Sequence, residues 1–366
     1  MQYRFDKIAF NRTAKKKPTE EDKEHYIGLE HLDTDCLYVT RWGSDVAPTG
    51  EKLLMKKGDV LFGKRRAYQR KVGIAPFDGI FSAHGMVLRP NEGVIDKDFF
   101  PFFISSDQFM ERAVRISVGG LSPTINWKDL REQEFSLPSL SEQRIIADKA
   151  WAAYRLKESY KKLLAATDEM VKAQFIEMFG KERVDGTIAD LVEKNIKSVK
   201  KTYNTYDTIE YIDISSVDSN THCISETSRH IVDKAPSRAQ QCVEKGDILV
   251  STVRPVNRNI AVVNSDMPNL VASTGFCVLR PKYGFREYIL SIVQSDPYTE
   301  KMCDKASGGL YPAVNNGDVL SYGIHIPDEA MLMKVSSIYQ QADKSRVALR
   351  KSIEAIDAVI KSLINR

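Results

Sequence analysis

The sequence is poor in the residues that build disulfide frameworks and zinc sites. It has five cysteines in 366 residues, an odd number, and no two of them are spaced as a Cys-x-x-Cys pair. We interpret them as small buried apolar residues of a protein that folds in a reducing compartment such as the cytoplasm. Neither a disulfide-bonded secreted fold nor a structural zinc site is expected.

Long apolar runs are also missing. No apolar stretch approaches the roughly 18 residues that span a membrane, so no membrane partner is expected, and the N-terminal ten residues are too charged for a secretory signal peptide. What is present is 42% hydrophobic and 28% charged residues, which suits an ordinary globular protein of about two domains. The net charge of +4 permits a nucleic-acid partner but does not require one.

The motifs of phosphate-binding and base-modifying enzymes are absent as well. The sequence has no GxxxxGK[ST] loop, no GxGxxG between a strand and a helix, and no Asn-Pro-Pro-aromatic tetrad of the kind that holds a flipped base. No group of carboxylates with a lysine recurs at nuclease-like spacing. We therefore predict that the chain is not an enzyme and that it has no catalytic and no metal-binding residues.

The most informative feature that is present is an internal repeat with an offset of 185 to 191 residues. Several matches fall in order in this one register, which chance explains poorly. The matched segments are Tyr26–Asp33 with Tyr211–Asp218, Lys57–Leu61 with Lys245–Leu249, Val87–Pro90 with Val278–Pro281, Gly119–Asn126 with Gly308–Asn315, and Pro138 with Pro327. The chain is predicted to contain two homologous halves, each a globular domain followed by a helix.

Each globular half is predicted to be a β-rich α+β domain. Short apolar runs after Gly-Asp turns and before prolines are typical of strands, and longer apolar segments of helices. The predicted strands are Val60–Phe62, Phe81–Leu88 and Glu134–Leu137 in the first half, and Ile248–Val250, Phe276–Leu279 and Gly323–Ile326 in the second. The predicted helices are Phe99–Ser105 and Arg286–Gln294.

A long helix is predicted after each half. Residues 139–179 contain neither Gly nor Pro, Ser139 and Glu142 form a capping-box pattern, and Gly180 follows as a stop signal. The second helix is predicted to begin at Asp328. A helix of about 40 residues is about 60 Å long, more than packing on one such domain needs.

Heptad-spaced apolar residues predict that the two long helices pair as an antiparallel coiled coil between two pseudo-symmetric domains. The seam residues are Leu349, Ile353, Ile356, Ile360 and Leu363 in the second helix, and Leu156, Tyr160, Leu163 and Met170, with Leu164 and Val171 beside them, in the first. The predicted segments are 1–138, 139–180, 181–327 and 328–366. The alternative is that each helix folds back onto its own domain.

A basic segment recurs in both halves and is a candidate for DNA contact. Residues 64–71 align with residues 252–259, so that Arg66 matches Arg254 and Arg70 matches Arg258. Arginine can neutralise phosphates or bind guanine bidentately, and Gln or Asn suits adenine. The candidates are Lys64, Arg65, Arg66, Tyr68, Gln69, Arg70, Lys71, Arg254, Asn257, Arg258 and Asn259. The alternative is a solvated charged hairpin, which the recurrence of the arginines disfavours.

The repeated Gly-Gly loop is the second candidate for DNA contact. Paired glycines let a ligand approach the backbone closely, and hydroxyl and amide side chains can donate to phosphates or base edges. The candidates are Ser122, Thr124, Asn126, Tyr311 and Asn315. The alternative is a tight structural connection.

Residues 137–146 (LPSLSEQRII) carry the most specific signal, a strand end that passes through Pro-x-x-x-Glu-Gln-x-x-Ile into a long helix. Together with the repeated segments, this pattern resembles the target recognition domains and long helices of the specificity subunits of Type I restriction–modification enzymes. The resemblance covers essentially the whole chain. The second copy departs from it, because Met331 and Leu332 stand where Glu and Gln are expected.

The resemblance implies a non-catalytic subunit that reads a bipartite, asymmetric target in double-stranded DNA, one half per domain. It implies two methyltransferase subunits and ATP-driven restriction subunits as partners, with Glu142, Gln143 and Ile146 as partner-binding residues. S-adenosylmethionine, ATP and magnesium are expected on those partners, with no cofactor on this chain. The alternatives are the recognition subunit of a related Type II-like system and a non-catalytic coiled-coil scaffold for proteins.

Overall fold

The computed structural model describes residues 1–180, 182–219 and 221–365. The chain divides into two compact units, one made of Met1–Lys162 with Leu349–Arg366 and the other of Leu163–Ala348. Each unit therefore contains one globular domain and part of each long helix.

The predicted division into four segments remains a prediction, because the compact units share the helices instead of separating them from the domains. Two of the predicted boundaries, at Lys181 and Arg366, lie outside the described residues.

The first domain contains two four-stranded sheets, ordered β2-β9-β6-β7 and β3-β5-β8-β4, and the pair β1-β10 that joins the chain start to the last strand. Pairing is antiparallel except between β4 and β8. Its elements are β1 Gln2–Arg4, α1 Phe5–Ile8, β2 Ala9–Arg12, β3 Lys15–Lys16, β4 Tyr26–Ile27, β5 Lys52–Met55, β6 Val60–Phe62, β7 Val72–Ile74, β8 Gly79–Phe81, β9 Met86–Pro90, α2 Phe100–Ser105, α3 Asp107–Arg115, α4 Trp127–Leu130 and β10 Glu134–Ser136. The helix α5, Leu140–Phe179, follows.

The second domain repeats this plan with a three-stranded sheet β18-β17-β20, a four-stranded sheet β15-β12-β19-β16 and the pairs β11-β21 and β13-β14. Its elements are β11 Gly186–Thr187, α6 Ile188–Leu191, α7 Val199–Thr202, β12 Thr208–Ile212, β13 Val217–Asp218, β14 Cys223–Ile224, β15 Ser228–Ile231, β16 Ala239–Cys242, β17 Ile248–Ser251, β18 Ile260–Val262, β19 Leu270–Ser273, β20 Phe276–Leu279, α8 Arg286–Val293, α9 Asp296–Lys305, α10 Asn316–Leu320 and β21 Gly323–Ile324. The helix α11, Glu329–Ile364, follows.

Two of the repeated sequence motifs meet as a buried ion pair in each domain. Asp59 is 3% exposed and accepts hydrogen bonds from both Nε (2.7 Å) and a terminal nitrogen (3.0 Å) of Arg89. Asp247 is 1% exposed and is bound in the same way by Arg280 at 2.8 and 2.7 Å. The Lys-Gly-Asp and Leu-Arg-Pro motifs recur together because each carries one partner of this pair.

The predicted single strand Phe81–Leu88 is wrong. Phe81 ends β8, Met86 begins β9, and the two strands belong to different sheets. A turn between them is closed by a hydrogen bond from Gly85 N–H to Ser82 O at 3.0 Å. A Cβ atom on Gly85 would lie 2.0 Å from the Phe81 ring, so this glycine lets the chain reverse over that ring. The other predicted strands and helices are present within one or two residues of their expected limits.

The caps predicted for the two long helices are present. The Glu142 carboxylate accepts hydrogen bonds from the N–H and the hydroxyl of Ser139 at 2.9 and 2.7 Å, and the Ser139 hydroxyl accepts from the Glu142 N–H. Asp328 Oδ1 accepts from the Met331 N–H at 2.7 Å. Within the described residues no helix is long and apolar enough to cross a membrane.

The long helices contact each other inside each compact unit. In the first unit Lys157 pairs with Asp357, and in the second Asp168 pairs with Arg346 at 2.7 Å. From the first of these contacts to the second, the residue number rises in α5 by as much as it falls in α11, as it does in antiparallel helices. The antiparallel pairing predicted from the sequence is confirmed.

The predicted seam is right for α11 and partly wrong for α5. All five seam residues of α11 are buried or half-buried. In α5, however, Leu156, Leu163 and Met170 are 45%, 52% and 46% exposed. The residues that α5 buries are Gln143, Ala147, Ala150, Tyr154, Lys157, Val171 and Phe179, with Tyr160 and Leu164 half-buried. Hydrophobicity alone selected the neighbouring stripe, because polar residues such as Lys157 occupy the true seam and pair across it.

Candidate nucleic-acid interface

The basic segment of each domain has the same backbone conformation. Arg66 and Arg70 have φ angles of +56° and +51°, and Arg254 and Arg258 have +48° and +51°. A short 3-10 turn lies between the two arginines in both domains. Left-handed conformations are uncommon and unfavourable for residues other than glycine. Their recurrence at four matched arginines indicates that both domains retain this turn for a purpose other than local stability.

The Gly-Gly loops are five-residue loops closed at a two-bond neck. In the first domain Val118 and Thr124 exchange backbone hydrogen bonds of 3.0 and 2.9 Å, and in the second Ser307 and Ala313 do so at 3.0 and 2.9 Å. The first glycine of each loop has a φ of +109° or +110°, which other residues rarely adopt. The two loops therefore share one shape.

The structure joins the basic segment and the Gly-Gly loop in each domain. The N–H of Arg66 donates to Pro123 O at 2.7 Å, and the N–H of Arg254 donates to Pro312 O at 2.7 Å. A second pair of matched bonds runs from Ile125 N–H to Lys64 O (3.0 Å) and from Val314 N–H to Thr252 O (2.9 Å). We call each joined pair of segments, 64–71 with 117–126 and 252–259 with 307–315, a basic platform.

Arg66 and Arg254 stand at the exposed side of their platforms. Arg66 Nε donates to Ser122 Oγ at 3.2 Å. Arg254 donates to Leu310 O at 3.1 Å, and its guanidinium lies 4.4 Å from the ring centroid of Tyr311. Among the described residues neither arginine has a carboxylate within 4.0 Å. Both keep a full positive charge available for a phosphate or a base edge.

Arg70 and Arg258, two of the predicted DNA contacts, pair with carboxylates of their own domains, and their contact with DNA stays a prediction. Arg70 pairs with Asp35 at 2.8 Å and with Asp107 at 3.1 Å, and Arg258 pairs with Asp296 at 2.6 Å. Asp107 and Asp296 are the first residues of the matched helices α3 and α9. Since carboxylates already neutralise them, these two arginines fix the platform to the domain.

Several other predicted contact residues are committed to internal hydrogen bonds. Lys71 Nζ donates to Leu29 O at 2.6 Å, and Asn259 donates to Val217 O at 2.8 Å. Asn126 donates to Asp129 at 3.3 Å, and Asn315 caps α10 by accepting from the Asp318 N–H at 2.9 Å. These side chains shape the platforms, and a bound nucleic acid could reach them only by replacing those bonds.

The remaining predicted residues differ in their exposure. Arg65 and Asn257 are exposed, as are Tyr68 at 55% and Tyr311 at 66%. The half-buried ones are Lys64, Gln69, Ser122 and Thr124. Burial and the nearby charge of Lys15 lower the pKa of Lys64. The side chains free to meet a ligand are therefore Arg65, Arg66, Tyr68, Arg254, Asn257 and Tyr311.

Sequence reasoning missed one residue in each platform, the leucine after the two glycines. Leu121 and Leu310 are 97% and 85% exposed at the tips of the loops. The repeat itself contained the signal, because Gly-Gly-Leu recurs intact in both halves while the next residue changes from Ser to Tyr.

The three predicted partner-binding residues lie at the start of α5 with unequal access. Gln143 is 1% exposed, and its amide binds Asp96 N–H, Val94 O and Pro138 O at 2.8, 3.2 and 2.9 Å. It fastens the helix to the first domain, and a contact between Gln143 and a partner stays a prediction. Ile146 is half-buried against the first core, whereas Glu142 is exposed. Hydrogen bonds from Ser139 hold the pKa of Glu142 below its ordinary value.

Metal-ligand chemistry has no counterpart in the part of the chain that the structure describes. No three His, Cys, Asp or Glu side chains there come together as a possible metal site. The five cysteines are free thiols, but the prediction that they are buried is right only for Cys242 and Cys277, because Cys36 is half-buried and Cys223 and Cys303 are exposed. Burial raises the pKa of Cys277 to about 12. A protonated, buried thiol of this kind is a packing residue rather than a nucleophile.

Comparison with known proteins agrees with this geometry. Residues 7–162 match the family model of the Type I restriction modification DNA specificity domain. The Type I restriction enzyme HindI specificity subunit of Haemophilus influenzae is 31% identical over 137 residues, which cover 36% of this chain and 29% of that protein. The chain spans about a third of the length of the curated relatives it matches.

Two solved structures match 100% of this chain. One, from a study of complex assembly and conformational transition of the type I R-M system, has a TM-score of 0.57 at 16% identity and is covered over 96% of its length. The other, the Type-I restriction-modification system S subunit from M. genitalium, has a TM-score of 0.53 at 13% identity and is covered over 94%. At such identities the likeness concerns the fold alone. Residues 7–162 therefore match the Type I restriction modification DNA specificity domain, and the whole chain has the fold of these two solved structures, as the resemblance in the sequence predicted.

Proposed function

We propose that this chain is the specificity subunit of a Type I restriction–modification system, and that it reads a bipartite, asymmetric target in double-stranded DNA. The observation that carries the proposal is the pair of basic platforms. Each has the same backbone, each presents an arginine without a carboxylate partner, and each is attached to its domain by the same bonds. Such a surface is built to meet the same kind of ligand twice.

The two platforms differ in the side chains between their paired arginines, and a domain that recognises a different DNA sequence must differ in such side chains. Between the two left-handed arginines the first domain has Ala67-Tyr68-Gln69 and the second has Pro255-Val256-Asn257. Contacts to phosphates position a protein on DNA, whereas contacts to base edges specify the sequence. We assign Arg66 and Arg254 to contact with a base edge as well as the phosphates and the intervening side chains to further base contacts, so that each domain reads a different half of the target.

The chemistry of such a system is proposed to reside on other subunits. Neither platform contains a repeated acid–base or nucleophilic group, since the residues that both platforms retain are Gly, Leu, Pro, Arg and Asn. Two methyltransferase subunits with S-adenosylmethionine and restriction subunits with ATP and magnesium would act at the site that this chain selects, in the cytoplasm. The exposed Glu142 at the start of α5 remains a candidate contact for one of them.

The test is to express the chain with the methyltransferase subunits of its own operon and to sequence the methylated bases of the host genome. The wild type is expected to give one motif with two specific halves and an unread spacer. Arg66→Ala is expected to relax or lose one half and Arg254→Ala the other, because a good arginine–base contact contributes about 1–3 kcal/mol of discrimination.

Arg155→Ala is the matched control, because it removes an exposed arginine from α5, outside both platforms. It should leave both halves of the motif unchanged. A motif with a single half, or two arginine variants that alter the same half, would contradict the proposal. Methylation that does not depend on this chain would instead support the scaffold alternative.

A further inference from the structure

Among the apolar side chains that each basic platform exposes, the leucine of the Gly-Gly loop is the most exposed. Leu121 and Leu310 are 97% and 85% exposed and occupy the third position of the five-residue loops. Single exposed leucines are common on protein surfaces and need no explanation. These two, however, stand at matched positions and are retained, like the exposed Arg66 and Arg254, so their exposure is a repeated property of the platform.

The loops hold these leucines away from the domain. Neck bonds close each loop, between Val118 and Thr124 in the first domain and between Ser307 and Ala313 in the second. The residues that form the neck lie directly before the first glycine and directly after the proline. The backbone N–H of the adjacent arginine then fixes that proline at 2.7 Å. A leucine on a loop anchored at three points is presented to the outside and does not fold back onto the core.

The second glycine of each loop indicates that something approaches from outside. Gly120 and Gly309 do not have the left-handed φ that requires glycine, and a Cβ atom added to either would meet nothing within 4 Å. Nothing within the described chain therefore requires glycine at these positions. A bound molecule that comes close to the backbone beside the leucine would require it.

The charge around the leucines points to the chemistry of that molecule. Arg65 and Arg66 are exposed beside the first loop, and Arg254 lies 3.1 Å from the carbonyl oxygen of Leu310. None of them has a carboxylate within 4.0 Å among the described residues. The ligand therefore offers negative charge next to an apolar interior, and double-stranded DNA has both, in its phosphates and its stacked bases.

We propose that Leu121 and Leu310 each insert at a base step of the bound duplex as an apolar wedge that unstacks the neighbouring base pairs. The adjacent arginine holds the backbone of the distorted step. This inference rests on the proposed function and adds a mechanism to it. Apolar wedges unstack and kink DNA at a cost that depends on the step deformed. Each half of the target would then contain one step selected for its deformability, in addition to bases read by contact.

The test begins with a randomised duplex pool, from which the full wild-type chain selects its target. A fluorescent adenine or guanine analogue, dark when stacked and bright when unstacked, is then placed at one purine of the selected duplex at a time. The wild type is expected to raise the fluorescence at one step in each half. Leu121→Ala should abolish the rise in one half only and Leu310→Ala in the other, with a loss of affinity of about tenfold or less for each.

Leu54→Ala is the control, because Leu54 is also an exposed leucine of the first domain, at 41%, but lies in β5 outside the platform. It should change neither the fluorescence nor the affinity. Leu121→Met, which keeps an apolar side chain of similar size, should keep the rise.

The wedge is refuted, and the proposed function survives, if the wild type selects a duplex but brightens no position, or if the rise persists in both alanine variants. The wedge is also refuted if the alanine variants fail only in assembly with other subunits, which would make the leucines a protein contact. If the wild type selects no duplex at all, the proposed function fails with it.

Discussion

The two domains differ on their surfaces far more than in the contacts that hold them together. Both keep the buried Asp–Arg pair under the strands, the arginine that ties the platform to a helix start, and the hydrogen bonds that join the basic segment to the Gly-Gly loop. What changes is the side chain that supports the exposed arginine, Ser122 in one domain and Tyr311 in the other, and the residues between the paired arginines. The internal bonds set a shared frame, and the surface on that frame is free to vary.

The largest expected effect is a loss of folding stability when the buried Asp–Arg pair that both domains share is broken. Arg89→Met and Arg280→Met each leave a buried aspartate without its guanidinium, which typically destabilises a protein by about 3 kcal/mol or more. The effect should be greater in the second domain, because the Arg280 side chain is 19% exposed and also pairs with Glu244 at 3.1 Å, whereas the Arg89 side chain is 35% exposed. Urea unfolding, with hydrogen exchange of β6 and β17 to identify the domain affected, would measure it.

The control for these two variants is Arg41→Met, which breaks an ion pair with Asp33 in which the side chains are 58% and 49% exposed. Exposed pairs of this kind contribute about 1 kcal/mol or less. Equal losses of stability in all three variants would mean that the buried pairs do not hold the domains as the geometry indicates.

A smaller effect should separate the two platforms. Tyr311→Ala removes the ring under Arg254, and since a cation–π contact contributes about 0.5–1 kcal/mol at an exposed site, DNA affinity should fall about three- to fivefold. Tyr311→Phe keeps the ring and should keep the affinity. Ser122→Ala removes only a 3.2 Å hydrogen bond from Arg66 and should have less effect. Titration of a labelled target would show the order, and a larger loss for Ser122→Ala would reverse the comparison.

The smallest expected effect is a dependence of folding stability on pH. It arises at one matched position, where the first domain has a histidine and the second does not. His31 Nδ1 accepts the Gly28 N–H at 2.9 Å, and burial lowers the pKa of His31 from its ordinary 6.5. The repeat places Ser216 at this position in the second domain. Because the folded protein favours the neutral ring, His31 stabilises the fold at pH values above the pKa that it has in the unfolded chain, about 6.5. This stabilisation is lost as the pH falls from about 6.5 toward the lower pKa that His31 has in the folded protein.

Thermal unfolding of the wild type and of His31→Asn at neutral and mildly acidic pH would test this. The asparagine can still accept the Gly28 N–H but does not titrate, so the difference in Tm between the two proteins should shrink or change sign in acid. A difference that is the same at both pH values would remove His31 as a source of the dependence.

Sequence reasoning succeeded where the repeat exposed a local pattern, and it failed where a partner lay far along the chain. The helix limits, the caps at Ser139 and Asp328 and most strands followed from local signals. The basic segment and the Gly-Gly loop were both recognised, but their union was not, because no local pattern connects Arg66 with Pro123.

The different surroundings of residues that look alike in the sequence could not be predicted for the same reason. An arginine looks alike in sequence whether it faces solvent, as Arg66 does, or a carboxylate, as Arg70 does with Asp107. Gln143 shares a motif with the exposed Glu142, yet it is buried by bonds to residues 94 and 96. Such assignments require the three-dimensional partner, which a single sequence does not show.

The first domain is synthesised early, but some of the residues that pack against it belong to the end of the second long helix and are synthesised late. The core of the first unit contains Ile360, and the Asn365 side chain accepts the backbone N–H of Asp107 at 2.7 Å and donates to its carboxylate at 3.0 Å. Both residues follow the whole second domain in the sequence, Ile360 within α11 and Asn365 just after it. The first domain is therefore synthesised with its surface around Tyr154 uncovered, and that surface is covered only after α11 has been made. A product that stops within the second domain would keep this apolar surface exposed, and exposed apolar surface of this kind favours aggregation.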